Sequence, residues 1–97
     1  MRVMLRATID TEAGNEAIGN GTLPKLMQSM IERLKPEAAY FGPHEGHRAC
    51  FFVFDLRDSS ELPGLAEPLF EQLKAKIEVQ PVMNADDLRK GLSALQG

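Results

Sequence analysis

The chain carries one cysteine, one tyrosine and no tryptophan in its 97 residues. The lone thiol, Cys50, has no intrachain partner, so no disulfide framework holds this protein and nothing in it requires an oxidising compartment. Basic clusters are missing as well. Lys and Arg number 11 against 14 Asp and Glu, for a net charge of -3. Affinity for phosphate backbones comes from clustered cations, so a nucleic-acid partner is not expected. No stretch approaches the roughly 20 apolar residues of a bilayer span. The opening Met1-Arg2-Val3-Met4-Leu5-Arg6 is charged and lacks the run of about 7–15 apolar residues found in a secretory signal. These absences lead to the expectation of a cytoplasmic protein with neither membrane nor nucleic acid as partner.

What is present is the composition of an ordinary globule, 43% hydrophobic and 26% charged. Single domains commonly run to about 100–150 residues, so residues 1–97 read as one domain. A chain this short buries only roughly 60–70% of its unfolded surface, which leaves a thin core that a partner subunit would reinforce.

The hydrophobic pattern changes period along the chain. Val3, Leu5, Ala7 and Ile9 alternate with Arg2, Met4, Arg6 and Thr8, the period of a one-sided strand. Residues 11–20 suggest a helical turn or two, interrupted by Gly19-Asn20-Gly21. Thr22 is placed to cap a helix whose stripe is Leu23, Leu26, Met27, Met30, Ile31 and Leu34, with Pro36 as its stop. Residues 37–42 suit an edge strand and 43–47 a hairpin loop. Ala49 to Phe54 run without a polar break and form the strongest strand, 48–56. Asp58 and Glu61 have the spacing of a capping box ahead of Leu62, Leu65, Leu69, Phe70 and Leu73, a second helical stripe that Pro68 should kink. Ile77, Val79 and Pro81 mark a fourth strand, held at an edge by the proline. Asn84 then caps a short tail helix.

The order β-α-β-β-α-β specifies the ferredoxin-like α+β fold: an antiparallel sheet of order 4-1-3-2, both helices on one face, and a short C-terminal helix. Such helices leave the other face bare. The third strand is apolar on both sides, so either Cys50, Phe52 and Phe54 or Phe51 and Val53 face away from the helices. A bare patch of that kind exceeds what a soluble monomer usually exposes. A second copy, sheet against sheet, is the expected cover; the tail helix is the alternative.

The element order and apolar third strand resemble the dimeric α/β-barrel superfamily, which includes muconolactone isomerase-like proteins and quinone-forming monooxygenases. Gly21-Thr22-Leu23-Pro24, Lys35-Pro36-Glu37-Ala38-Ala39-Tyr40-Phe41, Glu67-Pro68 and Pro81-Val82-Met83 resemble a small uncharacterised bacterial family within it. The resemblance implies a homodimer. It transfers no catalytic motif to named residues and implies no particular activity.

Candidate chemistry follows from residue types. Arg6 on a covered face requires an anion, supplied by Glu78 on the neighbouring strand or by a ligand's carboxylate. Arg6, Glu78, Gln80 and Phe52 are therefore the candidate ligand-binding residues, over an aromatic floor. Imidazole is the side chain suited to proton transfer near neutral pH and a tyrosine carries a hydroxyl, which makes His44, His47 and Tyr40 the candidates for moving a proton. His44-Glu45-Gly46-His47 has a metal-ligand spacing but no third ligand, so no metal and no cofactor are expected, with divalent-metal binding by the two imidazoles as the alternative for this segment. Cys50 lies inside an apolar run and is expected to be inert.

Two readings of function result. One is a homodimeric small-molecule binder or cofactor-independent enzyme, isomerase- or monooxygenase-like, acting on a small anionic or aromatic metabolite. The other is a non-catalytic dimeric module with a filled interior and Arg6 paired to Glu78.

Overall fold

A computed structural model describes residues 1–96. Four strands, β1 (Arg2–Thr8), β2 (Ala38–His44), β3 (His47–Asp55) and β4 (Lys76–Pro81), form one antiparallel sheet in the order β2-β3-β1-β4. Read from the other edge, this is the expected 4-1-3-2. Helices α1 (Thr11–Gly19), α2 (Thr22–Leu34) and α3 (Leu62–Leu73) precede or follow the strands, and α4 (Ala85–Ala94) ends the chain. The architecture is the ferredoxin-like α+β fold.

Strand register divides the side chains into two sets. Leu5 lies between Phe52 and Val79, and Phe52 lies opposite Ala39. This row, with Val3, Ala7, Cys50 and Phe54, faces the helices and is buried with Leu26 and Met30 of α2 and Leu65, Leu69 and Leu73 of α3. Each fully buried large apolar side chain contributes about 1.5–3 kcal/mol. Because side chains alternate, Phe51 and Val53 fall on the opposite, open face. The choice of parity is therefore 50, 52 and 54 inward.

Several boundaries differ from expectation. Residues 11–19 form a complete helix, capped by Asp10, whose carboxylate accepts from the Ala13 N–H at 3.0 Å. Thr22 is the first helical residue of α2, not its cap. Asn20 Oδ1 accepts the Thr22 N–H at 2.9 Å, and Gly21 takes a φ of 80°, a left-handed conformation that suits glycine. The five-residue hairpin loop shrinks to the pair Glu45-Gly46, with φ of 51° and 79°, as in a type I′ turn. Pro43 did not break the strand because β2 is an edge, where a missing N–H costs no ladder bond.

The Asp58–Glu61 capping box forms as expected, on a 3₁₀ turn at Ser59–Glu61 that leads into α3. Helix α3 runs through Pro68 as one element. A proline leaves the carbonyl four residues earlier without its helical donor. That carbonyl, on Gly64, accepts instead from Arg33 Nη1 of α2 at 2.9 Å. Glycine at 64 gives the guanidinium this close approach, since a Cβ there would lie 2.5 Å from Arg33 Nη2 and push the side chain aside.

The tail helix does not cover the open face. Asn84 and Asp87 form its capping box, yet none of its residues is buried. Its side-chain tie to the sheet is Asp87 with Arg2, which also pairs with Glu37.

Candidate functional site

The open face is a ladder of cross-strand rows. Tyr40, Phe51, Arg6 and Glu78 form one continuous row across all four strands. The next row toward the Arg2 end is Ala38, Val53, Met4 and Gln80. Toward the other end come Gly42, Ala49, Thr8 and Lys76, then the terminal pair His44 and His47. Arg6, Glu78 and Gln80 share one face, as their strand parity implied, and Tyr40, whose orientation the sequence left open, joins them there. The histidines lie at the far end of this face from Tyr40, where His44 and His47 line a hollow with Thr8, Lys76 and Glu78. His44 lies four residues from Tyr40 along β2, about 13 Å at strand rise.

Phe52 is placed elsewhere. It is 0% exposed and belongs to the helix-facing core, where its ring meets Phe41 edge-on at a centroid distance of 5.9 Å. The aromatic neighbour of Arg6 is Phe51.

Arg6 is already engaged. Its Nη2 donates to Glu78 Oε2 at 2.6 Å. This hydrogen bond, and the charge behind it, hold the Glu78 carboxyl below its ordinary range, with a smaller contribution from His44. Arg6 Nε is buried without a hydrogen-bond partner.

The histidines belong to strands rather than a loop. His44 and His47 pair across the tight turn. His44 Nε2 is 3.8 Å from Glu45 Oε1, and His47 Nδ1 is 3.2 Å from Thr11 Oγ1. Among the described residues no cluster of three or more His, Cys, Asp or Glu side chains is arranged to hold a metal.

On the helix side, an open groove of about 630 Å³ lies between the start of α2 and the β2–β3 hairpin. Its walls are largely apolar: Leu23 and Met27 from α2, Phe41 and Pro43 from β2, and Cys50 from β3. Phe41 sits on the edge strand β2 and remains 56% exposed, facing Leu23 and Met27 of α2 across the groove. Burial pushes the Cys50 thiol up to about 11, which leaves it protonated and unreactive. The polar groups sit at the rim. His47, Thr11 and Arg48 line it. Arg48 Nη2 donates to Asn15 Oδ1 at 2.9 Å, and no carboxylate pairs with it among the described residues. Gly14 makes room for this guanidinium, since a Cβ there would lie 2.9 Å from Arg48 Nη1.

Of the two methionines on the α2 stripe, Met30 is deeply buried and Met27 packs half-buried against the core while also lining the groove. Arg48 was missed altogether. Its signal was parity: it shares a face with Cys50, Phe52 and Phe54, and a charge on the inward parity of the most apolar strand marks the end of a core.

No protein-family model and no curated protein matches the chain. Among solved structures, the de novo designed protein Ferredog-Diesel is similar over 84% of this chain and 85% of its own, at 8% identity and a TM-score of 0.48. The fold assignment rests on element order and sheet topology. No helix among the described residues is long and apolar enough to cross a membrane.

Proposed function

We propose that this chain is a cytoplasmic homodimer of the dimeric α/β-barrel type that binds a small, apolar or aromatic metabolite bearing an anionic end. The ligand's body occupies the groove between α2 and the hairpin, and its anionic end meets Arg48. The observation that carries this reading is the combination of an apolar groove of about 630 Å³ with a rim guanidinium that lacks a carboxylate. Ligand sites are typically concave, mostly apolar, and oriented by a few polar groups. The anchoring role falls to Arg48 rather than Arg6, because Glu78 already supplies the anion that Arg6 needs. His47 at the rim is the group able to exchange a proton with a bound ligand, so isomerase-type acid–base chemistry without a cofactor is the reaction class that suits the groove.

The test uses anilinonaphthalene sulfonate, an aromatic anion whose fluorescence rises in apolar sites. Saturable binding of one molecule per subunit is expected. Arg48→Met should weaken it at least tenfold and Met27→Trp, which fills the groove, should abolish it, while Arg6→Met leaves it unchanged. Equal binding by the wild type, Arg48→Met and Met27→Trp overturns the proposal.

A second reading, a non-catalytic dimeric module, is favoured by the closed Arg6–Glu78 pair. On that reading the pair fixes the register of the two sheets, and disrupting it alters association rather than ligand binding.

A further inference from the structure

Helix α4 poses a physical problem. It has 10 residues, and its capping box is complete. Isolated helices this short are marginal in water and persist through tertiary packing of an apolar face. Yet Leu88, Leu92 and Leu95 are 46%, 53% and 81% exposed. Their spacing of four and three places them on one stripe. Asp87, the residue tied to Arg2, lies about 100° around the helix from Leu88. The anchor therefore turns the leucine stripe sideways rather than down onto the chain's own sheet.

The dimensions agree. The chain spans 56 × 28 × 17 Å with a radius of gyration of 15.4 Å, against about 12.5 Å for a compact domain of this length. Its accessible surface is 6553 Å². A folded monomer of the same mass exposes about 5,500 Å². The excess of roughly 1,000 Å² is the size of one partner's share in a standard protein interface, about 800 Å². The same chain leaves Met4, Phe51 and Val53 only partly buried, on the sheet face away from the helix-packed core. Arg2 lies on that face, so α4 leaves the domain on the open side.

We infer that α4 is an exchanged arm, whose Leu88, Leu92 and Leu95 pack against the open sheet face of a second copy of this chain. A two-fold operator makes the contact reciprocal, so each subunit contributes one helix and receives one. The inference rests on the homodimer proposed above and adds which element closes it. It also accounts for a capped helix that contributes nothing buried to its own domain.

The test is sedimentation equilibrium on the full chain, with Leu88→Glu/Leu92→Glu and Val53→Glu as variants. The leucines are exposed in the subunit, so the double variant should keep the wild-type circular dichroism of the domain. The expected result is a wild-type dimer whose dissociation constant rises at least 100-fold in both variants. A double variant that dimerises as tightly as the wild type overturns the arm while Val53→Glu still reports the sheet-face dimer. A wild type that stays monomeric to 100 μM overturns both. A photoreactive benzoylphenylalanine in place of Leu95, in a mixture of isotopically heavy and light chains, should cross-link heavy to light at peptides from β1 or β3. Cross-links confined to one chain overturn the exchange.

Discussion

Single residues in this protein act by supplying what a neighbour lacks. Pro68 removes a donor from the middle of α3, and Arg33 replaces it from α2. The two positions should therefore be coupled. Arg33→Ala is expected to cost about 1 kcal/mol in the wild type, the usual net value of one hydrogen bond. In a Pro68→Ala background, where the restored backbone N–H can bond the Gly64 carbonyl, the same substitution should cost less than half as much. Urea denaturation of the four members of this double-mutant cycle measures the coupling, and strict additivity would show that Arg33 does not replace the missing donor. Arg6 and Glu78 follow the same logic across two strands, each satisfying part of the other on a face where Arg6 Nε still lacks an acceptor. That the Arg6–Glu78 pair forms was legible in the sequence, because opposite charges on adjacent strands of known order have few alternatives. The Arg33 contact was not, because it joins residues 31 apart through the packing of two helices.

At the scale of elements, the β2–β3 hairpin decides where the histidines sit. Its turn needs two residues with positive φ, and only the second, Gly46, is a glycine. Glu45 at φ 51° is a residue type that rarely adopts this conformation. Glu45→Asn, the preferred residue there, should stabilise the protein by about 0.5–1 kcal/mol, whereas Gly46→Val should destabilise it by about 1–2 kcal/mol. Thermal denaturation of both variants checks the pair of signs; the reverse order would mean that the turn is not of this type. The strand pattern identified the hairpin and its flanking residues. It did not identify the tight turn, because Pro43 reads locally as a breaker and becomes acceptable only on an edge strand. The groove escaped sequence reasoning for a related reason. Leu23, Met27 and Phe41 have the pattern of core residues, and whether such positions are filled depends on how far α2 extends over β2.

For the whole molecule, stability is linked to pH through carboxylates held below their ordinary range. Hydrogen bonds from Ser60 depress Asp58, and the hydrogen bond from Arg6 depresses Glu78. A depressed native value means that the unfolded chain binds more protons as the solution is acidified. Their contribution is present above about pH 4–4.5, the usual carboxylate range, and is lost as pH falls through the lower native values. The melting temperature should therefore fall on the acid side of that range, and Glu78→Gln should make the fall shallower. An acid limb that is unchanged in Glu78→Gln would show that the Arg6 pair contributes nothing to folding. Both carboxylates are solvent-exposed, so the effect is one of slope, moderated by salt.

The chain by itself determined its periodicities, the caps at Asp58 and Asn84 and its strand order, since these depend on residues near in sequence and on chirality shared by all proteins. It also determined that one sheet face would be left without helices, because both crossovers place their helices on the same side. Tertiary structure alone decided that Phe52 faces inward and Phe51 outward, that the groove remains open beside an exposed Phe41, and that α4 extends away from its own sheet. Each of these depends on the distance and angle between elements far apart in the chain, and a pattern of apolar residues states only that a surface must be buried, not what buries it.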